Sequence, residues 1–301
     1  KEQMTNQSTS HLFMIEPESF NCNEQTASSN HYQEKHALEN SEEISAKALA
    51  EFHALKNEIT KRGIEVTFLK GSKDCPDHIF PNWFITFEDK TMQIFSMMAP
   101  NRRMEKKPEM IEHLKKTYKL TNDMSSLEDK NIFLESTSSM VFDRVNNCVY
   151  AGISERTNKM QLEKWCNENG YELIVFETES HTGASIYHTD VLMYVGTEII
   201  GICFDVIKPE FRELVKEKVH RFHDVVELSS EQILNFCGNA IEAKNTDGDL
   251  FLIISSAAHD ALEQNQIDIL HKYYKEIIHS DIPTIEKYGG GSARCMLTEL
   301  F

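Results

Sequence analysis

A cysteine close to the end of the sequence follows three consecutive glycines and could act as a nucleophile. In the stretch EKYGGGSARCMLTELF, Gly289, Gly290 and Gly291 precede Cys295. A phosphate-binding loop would need a following lysine or a GxGxxG pattern that opens a helix, and neither is present. Glycines also let a backbone turn tightly or approach a ligand closely. Cys295 is therefore either a nucleophilic thiol or a buried cysteine that behaves as a small hydrophobic residue.

A nucleophilic thiol needs an acid or base beside it. His188 is a candidate because Asp190 follows two residues later in IYHTDVLMYV, an apolar stretch that reads as a strand. Residues two apart on a strand share a face, so we expect the carboxylate of Asp190 to orient the imidazole. A core histidine with satisfied hydrogen bonds is the alternative.

Three further charged positions could bind a substrate. Glu135 interrupts an apolar stretch in FLESTSSMVF, and a buried carboxylate there would need a cation or a hydrogen-bond donor. Arg156, and Arg102 with Arg103, follow predicted strands. Arginine binds carboxylates through two parallel hydrogen bonds, so these residues are candidates for carboxylate recognition. An ordinary surface position is the alternative for each of them.

The composition indicates a soluble enzyme of the cell interior, and we expect a cytoplasmic protein. The net charge of −17 argues against nucleic acid as a partner. The sequence has no apolar run long enough to span a membrane and no signal-peptide pattern. The seven cysteines are scattered without a CxxC pair, which excludes zinc ribbons and disulfide frameworks. We therefore expect no metal and no cofactor.

The secondary-structure pattern that must position these residues is repetitive. From about Val66 onward, a hairpin, a helix and a strand recur roughly every 50 residues. This period favours repeated ββαβ units around one central site, and a doubly wound sheet is the alternative. Within it, Gly170 is predicted to end a helix, and IPTIEKYGGGSARCMLTEL is predicted to form a strand, a loop and a strand.

Taken in order, LESTSSMVFDRVNNCVYAGISERTN, YHTDV and GGGSARCM resemble the guanidino-group-modifying superfamily, the penteins. Further stretches, including MIEPESFNCNEQTASSN and PDHIFPNWFITFEDKTMQIFSMMAPNRR, are similar to its citrulline utilisation hydrolases, or citrulline ureidases. The resemblance extends from about residue 12 to residue 301. It implies an α/β fold, a five-bladed propeller of ββαβ repeats with pseudo-fivefold symmetry. The implied organisation is a single catalytic domain over residues 12–301 behind a disordered segment, residues 1–11.

The resemblance also implies a role for each candidate residue. Cys295 would form a covalent intermediate, His188 would shuttle protons, and Glu135 would hold substrate nitrogen. The substrate's carboxylate would be bound by Arg156 together with Arg102 or Arg103. The remaining candidates for substrate binding are Asp77, which matches an aspartate of a first-blade PD motif, Asn82 and Asp190. The partner would be a small amino acid, and a homodimer is possible.

Two departures from the superfamily bear on the substrate. Arginine deiminases have E-G-G-D where this sequence has Glu135-Ser136-Thr137-Ser138, and the region around Asn82 lacks the carboxylates of a V-E-D motif. A pocket that loses carboxylates suits a neutral ureido group better than a guanidinium cation. We therefore expect hydrolysis of citrulline to ornithine, ammonia and carbon dioxide. The alternatives are an arginine deiminase or dimethylarginine hydrolase, an amidinotransferase, and an inactive pentein that serves as a binding module.

Overall fold

The backbone repeats one unit, in which two antiparallel strands are followed by a helical segment and a third strand parallel to the second. The computed structural model describes residues 5–34 and 40–301. The strands of the described residues are β1 (His11–Glu16), β2 (Glu65–Lys70), β3 (Phe84–Thr86), β4 (Thr91–Ile94), β5 (Lys119–Asp123), β6 (Val141–Asp143), β7 (Cys148–Ile153), β8 (Glu172–Glu177), β9 (Met193–Val195), β10 (Ile199–Ile202), β11 (Asp224–Glu227), β12 (Ile241–Lys244), β13 (Leu250–Ser255), β14 (Glu276–Ser280) and β15 (Thr298–Glu299).

The helices of the described residues lie between these strands. They are α1 (Ser41–Thr60), α2 (Pro100–Arg103), α3 (Pro108–Lys115), α4 (Ser136–Ser139), α5 (Lys159–Asn169), α6 (Pro209–Val219), α7 (Ser230–Leu234), α8 (Ser256–Ala261), α9 (Gln264–Leu270) and α10 (Pro283–Gly289). Three short 3-10 helices occupy Ser125–Lys130, Thr189–Val191 and Arg294–Met296.

The unit β6–β7–α5–β8 shows how the local sequence builds a blade. The turn between β6 and β7 places Asn147 at φ 53°, a conformation that asparagine tolerates. Asn158 caps α5 by accepting a hydrogen bond from the Gln161 amide, and Gly170 ends the helix at φ 78°. The predicted helix end at Gly170 is confirmed. After this turn β8 runs parallel to β7, and the sheet is complete.

The five sheets have the orders β15-β1-β2, β3-β4-β5, β6-β7-β8, β11-β10-β9 and β12-β13-β14. In the first sheet, β1 pairs antiparallel with β15, so strands from the two ends of the described chain close the ring. The side chain of Thr9 reinforces the closure by donating to the Leu300 carbonyl at 2.6 Å. The prediction of a five-bladed α/β propeller of ββαβ repeats is confirmed, and the doubly wound alternative is wrong.

Two local predictions are wrong. Residues 283–289 form helix α10 rather than a strand, because Pro283 begins the helix and Ile285 and Tyr288, three residues apart, are buried on one face. His188 does not lie in a strand, since it precedes the 3-10 helix Thr189–Val191. The period-two argument that placed His188 and Asp190 on one face therefore fails.

The segment before β1 also differs from the expectation of disorder over residues 1–11. Gln7, Ser8 and Thr9 are buried, and the Gln7 side chain donates to the Phe142 carbonyl at 2.9 Å and to the Val195 carbonyl at 3.2 Å. These bonds join the blades that contain β6 and β9. Residues 1–4 and 35–39 lie outside the described residues. No helix within the described residues is long and apolar enough to cross a membrane.

Candidate active site

A cavity lies among segments that connect the strands. Its lining includes six residues that the sequence singled out: Asp77, Asn82, Arg102, Arg156, His188 and Cys295. Glu135 contacts His188 and Arg156, and Asp190 contacts Cys295, so both carboxylates lie immediately behind the lining. Arg103 is absent from the lining, and its guanidinium donates to the carbonyls of Met97 and Met98. The propeller thus brings eight of the nine candidate residues together.

The glycine run brings the backbone close to its neighbours and so positions Cys295. Gly290 ends α10 at φ 66°, and a Cβ atom there would lie 2.5 Å from the Asn30 side chain. A Cβ atom at Gly289 would lie 2.7 Å from the Phe80 ring. The chain then enters the 3-10 helix that contains Cys295. The glycines serve close packing of the loop against its neighbours.

The surroundings of the Cys295 thiol disfavour its ionisation. Its Sγ lies 3.8 Å from Asp190 Oδ2 and 3.3 Å from Asn239 Nδ2. Burial, and after it the Asp190 carboxylate, raises the pKa of the thiol to about 12. Burial likewise raises the pKa of Asp190 to about 7, against the opposing charge of Arg294. Formation of a thiolate therefore requires help from a bound substrate or a nearby donor.

Glu135, rather than Asp190, orients His188. Glu135 is fully buried, and its Oε1 lies 2.7 Å from His188 Nε2. Burial by itself would raise the pKa of Glu135, but the hydrogen bond from His188 and the charge of Arg156 hold it well below its usual range. Burial lowers the pKa of His188, although the contact with Glu135 acts in the opposite direction. The ionised form of Glu135 and the uncharged form of His188 are thus both favoured, and an ionised Glu135 can only accept this hydrogen bond.

The two cavity arginines are buried and held by other groups. Nε and Nη2 of Arg156 donate to Ser29 Oγ at 3.1 and 2.8 Å, and its Nη1 lies 3.6 Å from Glu135 Oε1. Arg102 is bound to Glu105 through Nε at 2.9 Å and Nη2 at 3.0 Å. Each guanidinium is thereby fixed in orientation while it lines the cavity, as recognition of a carboxylate requires.

Asp77 has one oxygen without a partner. Its Oδ2 accepts from Asn23 Nδ2 at 2.9 Å and from Thr26 Oγ1 at 3.3 Å. Its Oδ1 is buried and has no hydrogen-bond partner among the described residues. A buried carboxylate oxygen without a donor is costly, so a donor supplied by a ligand would stabilise this site.

Asn82 links the arginine side of the cavity to the thiol side. Its Oδ1 accepts from Arg102 Nη2 at 2.6 Å, and its Nδ2 donates to Ser138 Oγ at 2.8 Å. The Ser138 side chain in turn acts to lower the pKa of Asp190, against the larger effect of burial. The amide nitrogen of Asn82 has two hydrogens, so one N–H remains for a ligand.

Sequence reasoning missed several residues of the site. Asn239 contacts Cys295, Tyr187 donates to the Gly290 carbonyl, and Asn30 donates to the carbonyls of Gly289 and Gly290. A single asparagine or tyrosine has no spacing signal, so only the fold reveals these contacts. Within the described ranges, no group of three or more histidine, cysteine, aspartate or glutamate residues could hold a metal ion.

A family model matches nearly the whole chain. It is described as N,N dimethylarginine dimethylhydrolase, eukaryotic, and it matches residues 16–301. No individual curated protein has significant sequence similarity to the chain.

Several solved structures share the fold at low sequence identity. One is a variant of the N-terminal domain of ArgZ, covalently bound to a reaction intermediate (TM-score 0.77, 14% identity, 97% of each chain). A second is a cysteine-to-serine mutant of that domain bound to substrate (TM-score 0.76, 14% identity, 96% of this chain and 97% of the other). That protein is described as an arginine dihydrolase from the ornithine–ammonia cycle in cyanobacteria. A cysteine-to-serine mutant of DDAH from Pseudomonas aeruginosa, complexed with citrulline, has a TM-score of 0.65 at 17% identity over 99% of this chain and 100% of the other.

Proposed function

Because the chain belongs to the eukaryotic N,N-dimethylarginine dimethylhydrolase family, we propose that it hydrolyses the ureido or guanidino carbon of a free amino acid, with Cys295 as the covalent nucleophile. The observation that carries this proposal is the meeting of Cys295, the His188–Glu135 pair and the substrate-binding candidates around one cavity. The covalent intermediate in the similar ArgZ structure supports the same reaction class.

The polar groups of the cavity fit a free α-amino acid. The unpartnered Oδ1 of Asp77 can accept a hydrogen bond from the α-ammonium group. The guanidinium of Arg156 or of Arg102 can bind the α-carboxylate. Because these groups are buried, a zwitterion suits them: its ammonium group would pair with the carboxylate of Asp77, and its carboxylate would pair with a guanidinium.

The chemistry would begin when the substrate's reacting carbon lies beside Cys295. His188 takes the thiol proton, and Sγ attacks this carbon to form a C–S bond. His188 then gives this proton to the nitrogen whose bond to the carbon breaks, and Glu135 stabilises the imidazolium between the two transfers. A water molecule, deprotonated by His188, attacks the same carbon, the C–S bond breaks, and the proton on His188 returns to the sulfur. With citrulline, the released carbamate breaks down to ammonia and carbon dioxide.

The part of the cavity beside Cys295, where the reacting head group of the substrate would lie, fits a neutral ureido group best. Glu135 already binds His188, Arg156 and the Met98 amide, and burial favours the neutral form of Asp190. Neither carboxylate is left free and fully ionised to pair with a guanidinium. The spare N–H of Asn82 can donate to a ureido oxygen. The proposed substrate is therefore citrulline, which takes up one water and yields ornithine, ammonia and carbon dioxide.

Arginine and methylated arginines form the second candidate. The family description and the arginine dihydrolase of the same fold favour this candidate. A guanidinium would bring its own positive charge beside Cys295 and would favour the thiolate that the protein by itself disfavours.

A product assay separates the candidates. The protein is incubated separately with citrulline, arginine and dimethylarginine, and the amino acids are quantified, with Cys295→Ser as the inactive control. Citrulline should give ornithine, and Asn82→Asp should slow this reaction by adding a carboxylate at the head group. Faster turnover of arginine than of citrulline by the wild type would refute the neutral-substrate assignment. Retention of turnover by Cys295→Ser would refute the nucleophile.

A further inference from the structure

The side chain of Asn239 makes two hydrogen bonds with Cys295. Asn239 is fully buried at the start of the blade that contains β12. Its Nδ2 donates to Cys295 Sγ at 3.3 Å, and its Oδ1 accepts from the Cys295 backbone amide at 3.3 Å. The second N–H of Nδ2 donates to the Asp190 backbone carbonyl at 2.8 Å. Rotating the amide by 180° would place Oδ1 against that carbonyl, so its orientation is fixed.

The other groups around Cys295 Sγ have opposing effects on its ionisation. Burial and, after it, the Asp190 carboxylate oppose ionisation of the thiol. The Ser292 backbone amide and, more weakly, the charge of Arg294 favour the thiolate. Among the described residues, Asn239 is the side chain that donates a hydrogen bond to Sγ.

We infer that Asn239 is a catalytic residue that stabilises the Cys295 thiolate through its Nδ2–H. This inference rests on the proposed role of Cys295 as the nucleophile. A neutral amide is suited to the task, because it can donate to a thiolate without pairing with the Asp190 carboxylate as a cation would. The contact of Oδ1 with the Cys295 backbone holds the sulfur in place while it ionises.

Two substitutions separate stabilisation of the thiolate from a structural role. Asn239→Asp keeps the oxygen that accepts from the Cys295 amide, but it replaces the donor by a carboxylate oxygen. Asn239→Ala loses both the donor and the acceptor. Loosened packing alone would expose the buried thiol and speed its alkylation, whereas loss of the donor to the thiolate slows alkylation, and slows it most in Asn239→Asp, whose carboxylate oxygen also faces Sγ.

The measurement is the rate at which iodoacetamide alkylates Cys295 at fixed pH between 7 and 9, followed by peptide mass spectrometry. Below the thiol pKa this rate is proportional to the thiolate fraction. We expect Asn239→Ala to slow alkylation about tenfold, as loss of one hydrogen bond to a charged group predicts. Asn239→Asp should slow it further. Circular dichroism checks that both variants are folded.

The matched control is Asn235→Asp, the same change at an exposed position where the amide donates to the Glu231 carbonyl. It should alkylate at the wild-type rate. Wild-type or faster rates in the two Asn239 variants, or a slower rate in Asn239→Ala than in Asn239→Asp, would overturn the inference. Alkylation needs no substrate, so a failure of the wild type to turn over any of the amino acids would count against the proposed function alone.

Discussion

Replacement of Asp190 by asparagine should make stability less sensitive to rising pH. Folding raises the pKa of this buried carboxyl from 3.8 to about 7. The difference of about 3 units corresponds to about 4 kcal/mol, at about 1.4 kcal/mol for each unit. Asparagine has nearly the same shape and keeps the backbone carbonyl to which Asn239 donates, so the change removes chiefly the ionisable group.

The direction of the effect follows from proton binding. Well below pH 4 the carboxyl is protonated in both the folded and the unfolded states, so its ionisation does not contribute to the free energy of unfolding. As the pH rises from 4 to 7, the unfolded chain releases this proton while the folded chain keeps it, so the wild type loses stability. Asp190→Asn has no such loss. The free energy of unfolding of the variant, minus that of the wild type, should therefore rise by up to about 4 kcal/mol over this range.

Urea denaturation at pH 4.5, 6 and 8 measures this difference. Asp129→Asn, at an exposed position, is the control and should show a nearly constant difference. The Asp190 variant should also alkylate faster at Cys295, because the neighbouring negative charge is gone. A stability difference that stays flat or shrinks as the pH rises would show that burial of Asp190 does not govern its ionisation.

Three further predictions concern residues around the cavity. Arg156→Ala should raise KM for citrulline at least about tenfold, and Arg156→Lys should not restore it because lysine lacks the planar fork; an unchanged KM would contradict carboxylate binding. Glu135→Gln should lower kcat by about tenfold or more with little change in KM, because the imidazolium of His188 loses its partner, and steady-state kinetics at matched pH tests this. Gly290→Ala should destabilise the protein by about 1–3 kcal/mol in thermal denaturation, and by more than Gly183→Ala, because both have positive φ but only Gly290 is crowded. Equal losses at the two glycines would refute the contribution of crowding.

The repeat and several of its boundaries could be predicted from the sequence because they depend on local chemistry. The spacing of Leu162 and Trp165, followed by Gly170, specifies a helix and its end wherever the segment lies. Motif resemblance similarly selects Cys295, His188 and Glu135 as candidates, since their neighbours along the chain carry the pattern.

Only the tertiary structure decided which of these residues act on one another. Asp190 is two residues from His188 in sequence, yet the 3-10 helix directs it to Cys295, while Glu135, 53 residues away, reaches the imidazole. Arg102 and Arg103 are adjacent, and only Arg102 lines the cavity.

The role of Asn239 is set by tertiary structure for the same reason. Cys295 and Asn239 are 56 residues apart, and they meet because the ring brings the connecting segments of different blades to a common cavity. Local sequence specifies each blade through short-range periodicity and capping. The contacts of the candidate site depend on how the five blades are arranged around one ring, which the pairing of β15 with β1 closes.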